Sequence, residues 1–247
     1  MHSEFEAVEE NLYISDWARK SQVLFPDDEL GENDSLDTLR QISNKLVKNN
    51  FLVYSAQQTY CNCVVGGSVI PKVHSDNKRA ESEVIRVLDD FCAGMDINRK
   101  INISQLSEML VNSAFINGDI LINLPMDESS DSNIKTYVEL IEAHRIRTPP
   151  KHRANPLVRE GVEYDSFGRL LGYHVVKYVK KNTYNTIYAA DTDFTFVKAV
   201  TKVDGYKRVT AKLFEASTNI RPLQSRQCPV STPIMTLLKY ISQYLEA

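Results

Sequence analysis

The chain has 247 residues, 43% hydrophobic and 25% charged, which is ordinary for a globular protein and long enough to bury a core. No apolar run approaches the roughly 20 residues a membrane helix requires, and the acidic opening Met1-His2-Ser3-Glu4-Phe5-Glu6 is no signal peptide. A soluble cytoplasmic chain is therefore expected. Its formal charge of −3 hides an asymmetry: residues 1–37 carry eleven Asp/Glu against Arg19 and Lys20, and residues 143–226 sixteen Lys/Arg against seven Asp/Glu.

An acidic arm and a basic body can pair within or between subunits, or the body can face nucleic acid, or both are solvated faces. Residues 1–34 have scattered apolar residues and little periodicity, so they read as an arm held by docking. Trp17, the single tryptophan, is the candidate anchor. Asp34 or Ser35 then caps a helix with Leu36, Leu39, Ile42, Leu46 and Val47 on one face, stopping at Asn49-Asn50. Tyr60-Cys61-Asn62-Cys63-Val64-Val65 reads as an extended run ended by Gly66-Gly67. A second helix is expected from Asn77 to Ala93, burying Val84, Ile85, Leu88 and Phe91. A third starts at Asn102 or Ser104, closes at Asn117-Gly118, and leads into a strand from Asp119 to Leu124. Met126 to Asn133 is an acidic, serine-rich loop without EF-hand spacing.

From Ile134 the period switches to two, with strands expected at 136–142, 158–164, 171–179, 185–190, 194–203 and 206–214. Asp165-Ser166-Phe167-Gly168 and Asp204-Gly205 supply hairpin turns. Tyr164, Tyr173, Tyr178, Tyr184, Tyr188 and Tyr206 interleave with Lys and Arg here. That mixture fits single-strand stacking or, more simply, β propensity on half-exposed strands. Arg221-Pro222-Leu223-Gln224-Ser225-Arg226-Gln227 is a loop, after which Ser231 or Thr232 caps a last helix with Pro233 in its first turn. Its apolar face would be Met235, Leu237, Leu238, Ile241 and Leu245. The reading is α+β: an acidic arm (1–34), a helical part (35–133), a β-rich part (134–216) forming a mostly antiparallel sheet or small barrel, and a loop and helix start (217–247).

No catalytic or metal constellation stands out, and no cofactor is implied. Cys61-Asn62-Cys63 has no second Cys or His pair to complete a zinc site, and with Cys92 and Cys228 it fits plain reduced thiols. The five histidines form no H-E-x-x-H pair, and Ser225 lacks a G-x-S-x-G elbow. His174, between Tyr173 and Val175, reads as a packed strand histidine. Glu139 and Glu142 fall on opposite faces of a strand, a poor acid–base pair.

Several stretches together have a recognisable wording. Leu140-Ile141-Glu142-Ala143 precedes Pro149, and Gly161-Val162-Glu163-Tyr164-Asp165 is followed by a Gly168-Arg169 turn and Tyr173-His174-Val175. Leu39-Arg40, Lys48-Asn49-Asn50, Val64-Val65-Gly66-Gly67, Asn117-Gly118-Asp119 and Arg221-Pro222-Leu223-Gln224-Ser225-Arg226 flank them in order. Across residues 36–247 the chain resembles the lambda-like family of tailed-phage portal proteins. Leu223 and Gln227 stand where that family usually has glycine. The resemblance implies a wing-like fold whose last helix leads toward a stem, so the chain reads as the N-terminal, wing-bearing part of such a protein.

The resemblance further implies a structural, non-enzymatic component of the capsid vertex in the virion, assembled in the bacterial host cytoplasm. Such a protein forms a ring of typically twelve subunits that carries double-stranded DNA and meets the major capsid protein, terminase and head-completion proteins. Arg221, Gln224 and Arg226 are then the candidate residues of an inter-subunit or DNA-channel loop. The alternatives are a standalone or degenerate prophage-derived α+β binding module without portal activity, and a cysteine-dependent or metal-free hydrolase.

Overall fold

The computed structural model describes residues 33–67, 69–127, 134–177, 193–203, 205–215, 224–235 and 237. Among these residues four helices come first, and asparagine side chains open three of them. Helix α1 (Asn33–Asn49) turns Leu36, Leu39, Ile42 and Val47 inward. The side chains of its expected caps, Asp34 and Ser35, lie outside the described residues. At α2 (Phe51–Val65) the Asn50 carboxamide oxygen accepts from Leu52 N and Val53 N at 3.0 and 3.3 Å. This helix corrects the extended run expected at 60–65. Val53, Gln57 and Cys61, spaced by four, are buried in the helix. Gln57 Nε2 donates to Asn112 at 3.1 Å and the Tyr60 ring sits 5.3 Å from that of Phe115. Tertiary packing of this face overrides the strand preference of a Tyr-Cys-Val-Val run.

Helix α3 (Lys78–Ala93) forms where expected, with the Asn77 side chain capping it. Its expected buried stripe is only partly covered, however. Cys92 is buried and Phe91 packs against the cluster of Met95, Leu106 and Val138, whereas Val84 and Ile85 are exposed. Helix α4 (Ile103–Asn117) has a reciprocal capping box, Asn102 and Gln105 each bonding the other's backbone N–H. It ends at Gly118, whose φ of +88° and close approach to the chain at 227–228 leave no room for a Cβ.

Strand β1 (Asp119–Asn123) follows at once and lies between β2 (Glu139–Glu142) and β9 (Ala211–Glu215), antiparallel to both. A second antiparallel sheet runs in the order β3 (Val158–Arg159), β4 (Val162–Tyr164), β5 (Leu170–Val176), β6 (Phe194–Lys198). The expected single strand at 158–164 is two strands, because Glu160 and Gly161 take φ of +48° and +82° and turn the chain back. The β4–β5 turn forms as expected. Asp165 Oδ1 accepts from Phe167 N and Arg169 N at 2.9 and 2.8 Å. Beyond β6 the chain steps at Ala199 into a two-stranded ribbon, β7 (Val200–Val203) and β8 (Tyr206–Val209), and leaves it at Thr210, whose N–H bonds Ala199 O at 2.9 Å.

These steps part the strands into two sheets and a ribbon, so no closed barrel forms among the described residues. The fold is mixed α+β with antiparallel sheets. The β-side core gathers Leu121, Ile141, Ile146, Val162, Tyr173, Val175, Ala199 and Ala211 from both sheets and their connections. At 232–234 a 3₁₀ turn has Pro233 where expected, but the Ser231 hydroxyl does not cap it. It shares a 3.0 Å hydrogen bond with Ser43 of α1 instead. The strand expected at 185–190, the acidic loop at 128–133 and the helix positions Leu238, Ile241 and Leu245 lie outside the described residues.

Candidate functional site

Two of the expected loop residues are described, and the structure turns one of them inward. Arg226 is 1% exposed, and all five of its N–H donors have acceptors. Nε and one Nη2 hydrogen grip the two carboxylate oxygens of Asp119 at 2.7 Å each. Nη2 also reaches Ala143 O at 2.9 Å, and Nη1 reaches Ile146 O and Glu160 O at 3.1 and 3.3 Å. A planar guanidinium suits this arrangement because its fork matches a carboxylate while the remaining donors splay toward carbonyls.

Asp119 opens β1 directly after the α4 stop, at the meeting point of the helices and the sheets. It is fully buried and takes two further bonds, from Gln227 N at 3.0 Å and Arg40 Nη2 at 3.2 Å. Burial alone would push its carboxyl up. Arg226, Arg40 and the Gln227 N–H outweigh that and hold it below the usual carboxylate range. Burial likewise works against charge on Arg226, yet its ion pair and hydrogen bonds with Asp119 leave it above the ordinary arginine value. Arg40 lies on α1 and also donates through Nε to Asn117 O at 2.8 Å. Toward the rim, Asp37 pairs with Arg147 and lies 3.8 Å from Arg40, and burial raises its carboxyl despite both cations.

Glu160 completes the cluster in an unusual state. Its backbone oxygen serves Arg226, but both carboxyl oxygens are buried without a hydrogen-bond partner among the described residues. Burial pushes its pKa up to about 8, against the pull of Arg226 and Arg40, so near pH 7 it mainly carries a proton. Next to it, a Cβ on Gly161 would lie 2.6 Å from Arg147 N, so this turn must be made by glycine.

The result is a clamp that seats the chain at 224–228 on the body. Gln224 Nε2 bonds Arg226 O at 2.9 Å, Tyr164 Oη bonds Ser225 Oγ at 3.3 Å, and Val230 packs among Val47, Val53 and Phe115. Chemically the cluster offers buried, engaged charges and no poised nucleophile. The four cysteines, all described, form no disulfide, and burial pushes the Cys61 and Cys92 thiols up. His174 is buried as a packed strand histidine, 2.7 Å from Glu163 and between the rings of His152 and Phe196. Of the tyrosines weighed for base stacking, Tyr173 is core, Tyr164 is tied into the clamp region, and Tyr206 is exposed. Tyr178, Tyr184 and Tyr188, like Trp17 and Arg221, lie outside the described residues.

Sequence reasoning missed Glu160 and the role of Asp119. The available signal was a charged residue opening an apolar strand, Asp119 ahead of Ile-Leu-Ile, which asks for a buried partner. Among the described residues no helix is long and apolar enough to cross a membrane. Compared with protein families, the chain matches the model described as phage portal protein, lambda family, over residues 15–247.

Proposed function

Because this chain belongs to the lambda family of phage portal proteins, a structural family of the phage capsid, we propose that it works as a ring subunit at the capsid vertex. The ring, typically of twelve copies, is the channel for double-stranded DNA during packaging and ejection. It meets the major capsid protein, presents a docking face to the terminase, and later receives head-completion proteins. The work of moving DNA is done by the terminase, so the subunit itself needs rigidity and a repeating heterologous interface that closes.

The observation that carries this reading is the family match over residues 15–247. The clamp supplies a physical rationale for it. A subunit that passes force between a wing and whatever follows residue 235 needs that junction fixed. Arg226 joins the 224–228 segment to β1, to the Ala143–Ile146 connection and to the β3–β4 turn at once. The test is the solution mass of the protein by light scattering, alone and in the presence of capsid protein. A mass near twelve subunits supports the ring. A monomer under both conditions contradicts it and favours a binding module that shares only the fold.

A further inference from the structure

The β7–β8 ribbon combines three features that each cost stability in water. It is a two-stranded sheet of its own, and a lone hairpin is marginal. Its register sets Lys202 directly opposite Lys207, and like charges facing across a strand pair repel. On the same face, one pair along, Val200 faces Val209, and they are 44% and 54% exposed. The opposite face is tied at one point, where Arg208 reaches Thr136 Oγ1 at 3.0 Å, while Tyr206 at its end stays exposed. Neither Lys202 nor Lys207 makes an ion pair with another described residue. A face of this kind fits an occupant that is both acidic and apolar.

We propose that the occupant is the acidic arm of this protein, residues 1–32. The segments outside the described residues differ sharply in charge. Residues 1–32 hold nine Asp/Glu against Arg19 and Lys20, and interleave them with Phe5, Leu12, Tyr13, Trp17 and Phe25. Residues 178–192 and 216–223 are slightly basic, residues 238–247 are neutral, and residues 128–133 contribute only Glu128 and Asp131. Asp204 in the ribbon's own turn is a single carboxylate that brings no apolar segment to fill the valine face. Reach is no obstacle. Thirty-two residues at about 3.3–3.6 Å each span on the order of 100 Å, against a radius of gyration near 18 Å for a domain of this length. The lysine pair neutralises arm carboxylates, and Val200 and Val209 receive an apolar arm residue.

The test uses the whole protein. Zero-length carbodiimide coupling at low ionic strength, mapped by mass spectrometry, should join Lys202 or Lys207 to carboxylates between Glu4 and Glu32, and the products should fade at high salt. The variant Lys202→Glu separates docking from ribbon stability. It creates an opposite-charge cross-strand pair with Lys207, which strengthens the ribbon itself, while it repels the arm. Tryptic cleavage after Arg19 and Lys20 should therefore accelerate roughly two- to tenfold, as loss of a few exposed ion pairs implies, with no fall in melting temperature. Coupling of these lysines only to Asp204, Glu128 or Asp131, or to no carboxylate, would overturn the proposal. So would an unchanged cleavage rate in Lys202→Glu.

Discussion

Arg226 and Lys202 belong to the same basic stretch of the sequence, yet they sit in opposite physical regimes. Around Arg226, every donor has an acceptor inside the subunit, and its carboxylate partner is sealed from water. On the ribbon, two lysines face each other with no described partner and valines beside them. Desolvated charge must be matched within the fold or the fold fails, whereas exposed charge is cheap to leave unmatched and available to something else. A count of Lys and Arg along residues 143–226 merges these two uses.

The sharpest way to break the comparison is at the clamp. Arg226→Ala removes the forked partner of Asp119, leaving the buried carboxylate only Arg40 and the Gln227 N–H, and should cost about 3–5 kcal/mol in a denaturant melt. Arg226→Lys should remain clearly destabilised, because an ammonium cannot fork onto the carboxylate and the three carbonyls together.

Glu160→Gln tests the same region through pH. The folded carboxyl is raised to about 8, so its contribution to stability is complete below the unfolded value near 4.5. It is lost progressively as pH rises toward 8. In that window the protein should lose up to about 1.4 kcal/mol per pH unit from this group. The Gln variant should lack that slope, and parallel stability–pH curves for the two proteins would refute the assignment.

Gly118→Ala comes next. A Cβ there meets Gln227 O at 2.3 Å in a backbone with φ of +88°, so about 1–3 kcal/mol of destabilisation is expected in the same melt. The smallest effect lies on the ribbon, where Lys202→Glu should change the melt by about 0.2–1 kcal/mol in the stabilising direction. A loss comparable to that at Arg226 would erase the distinction between the two regions.

Local chemistry was the legible part of the sequence. Asn102, weighed with Ser104, announced its helix because a short side-chain acceptor ahead of an apolar period has one common use, and Asp165 announced its turn for the same reason. Residues 60–65 misled because β-prone letters say nothing of the Gln57–Asn112 bond and Tyr60–Phe115 contact that hold them helical. The stripe of α3 was readable as amphipathic, but amphipathicity does not reveal whether a partner covers it. Arg226 was picked out by its loop wording, yet its burial depends on Asp119, 107 positions earlier, and on carbonyls of two other connections. No short-range pattern encodes that. Glu160 gave no signal at all, since a Glu-Gly step reads as an exposed turn until the fold closes over it.

The central claim is that Arg226 and Asp119 act as one unit fixing the 224–228 segment to the body. A double-mutant cycle, with Arg226→Ala, Asp119→Ala and the pair compared by equilibrium denaturation, measures it directly. The account predicts that the double variant costs far less than the sum of the single ones, with a coupling of roughly 2–3 kcal/mol, since each single change deprives a buried charge of its main partner. Single effects that simply add would contradict it and place the two residues in separate roles.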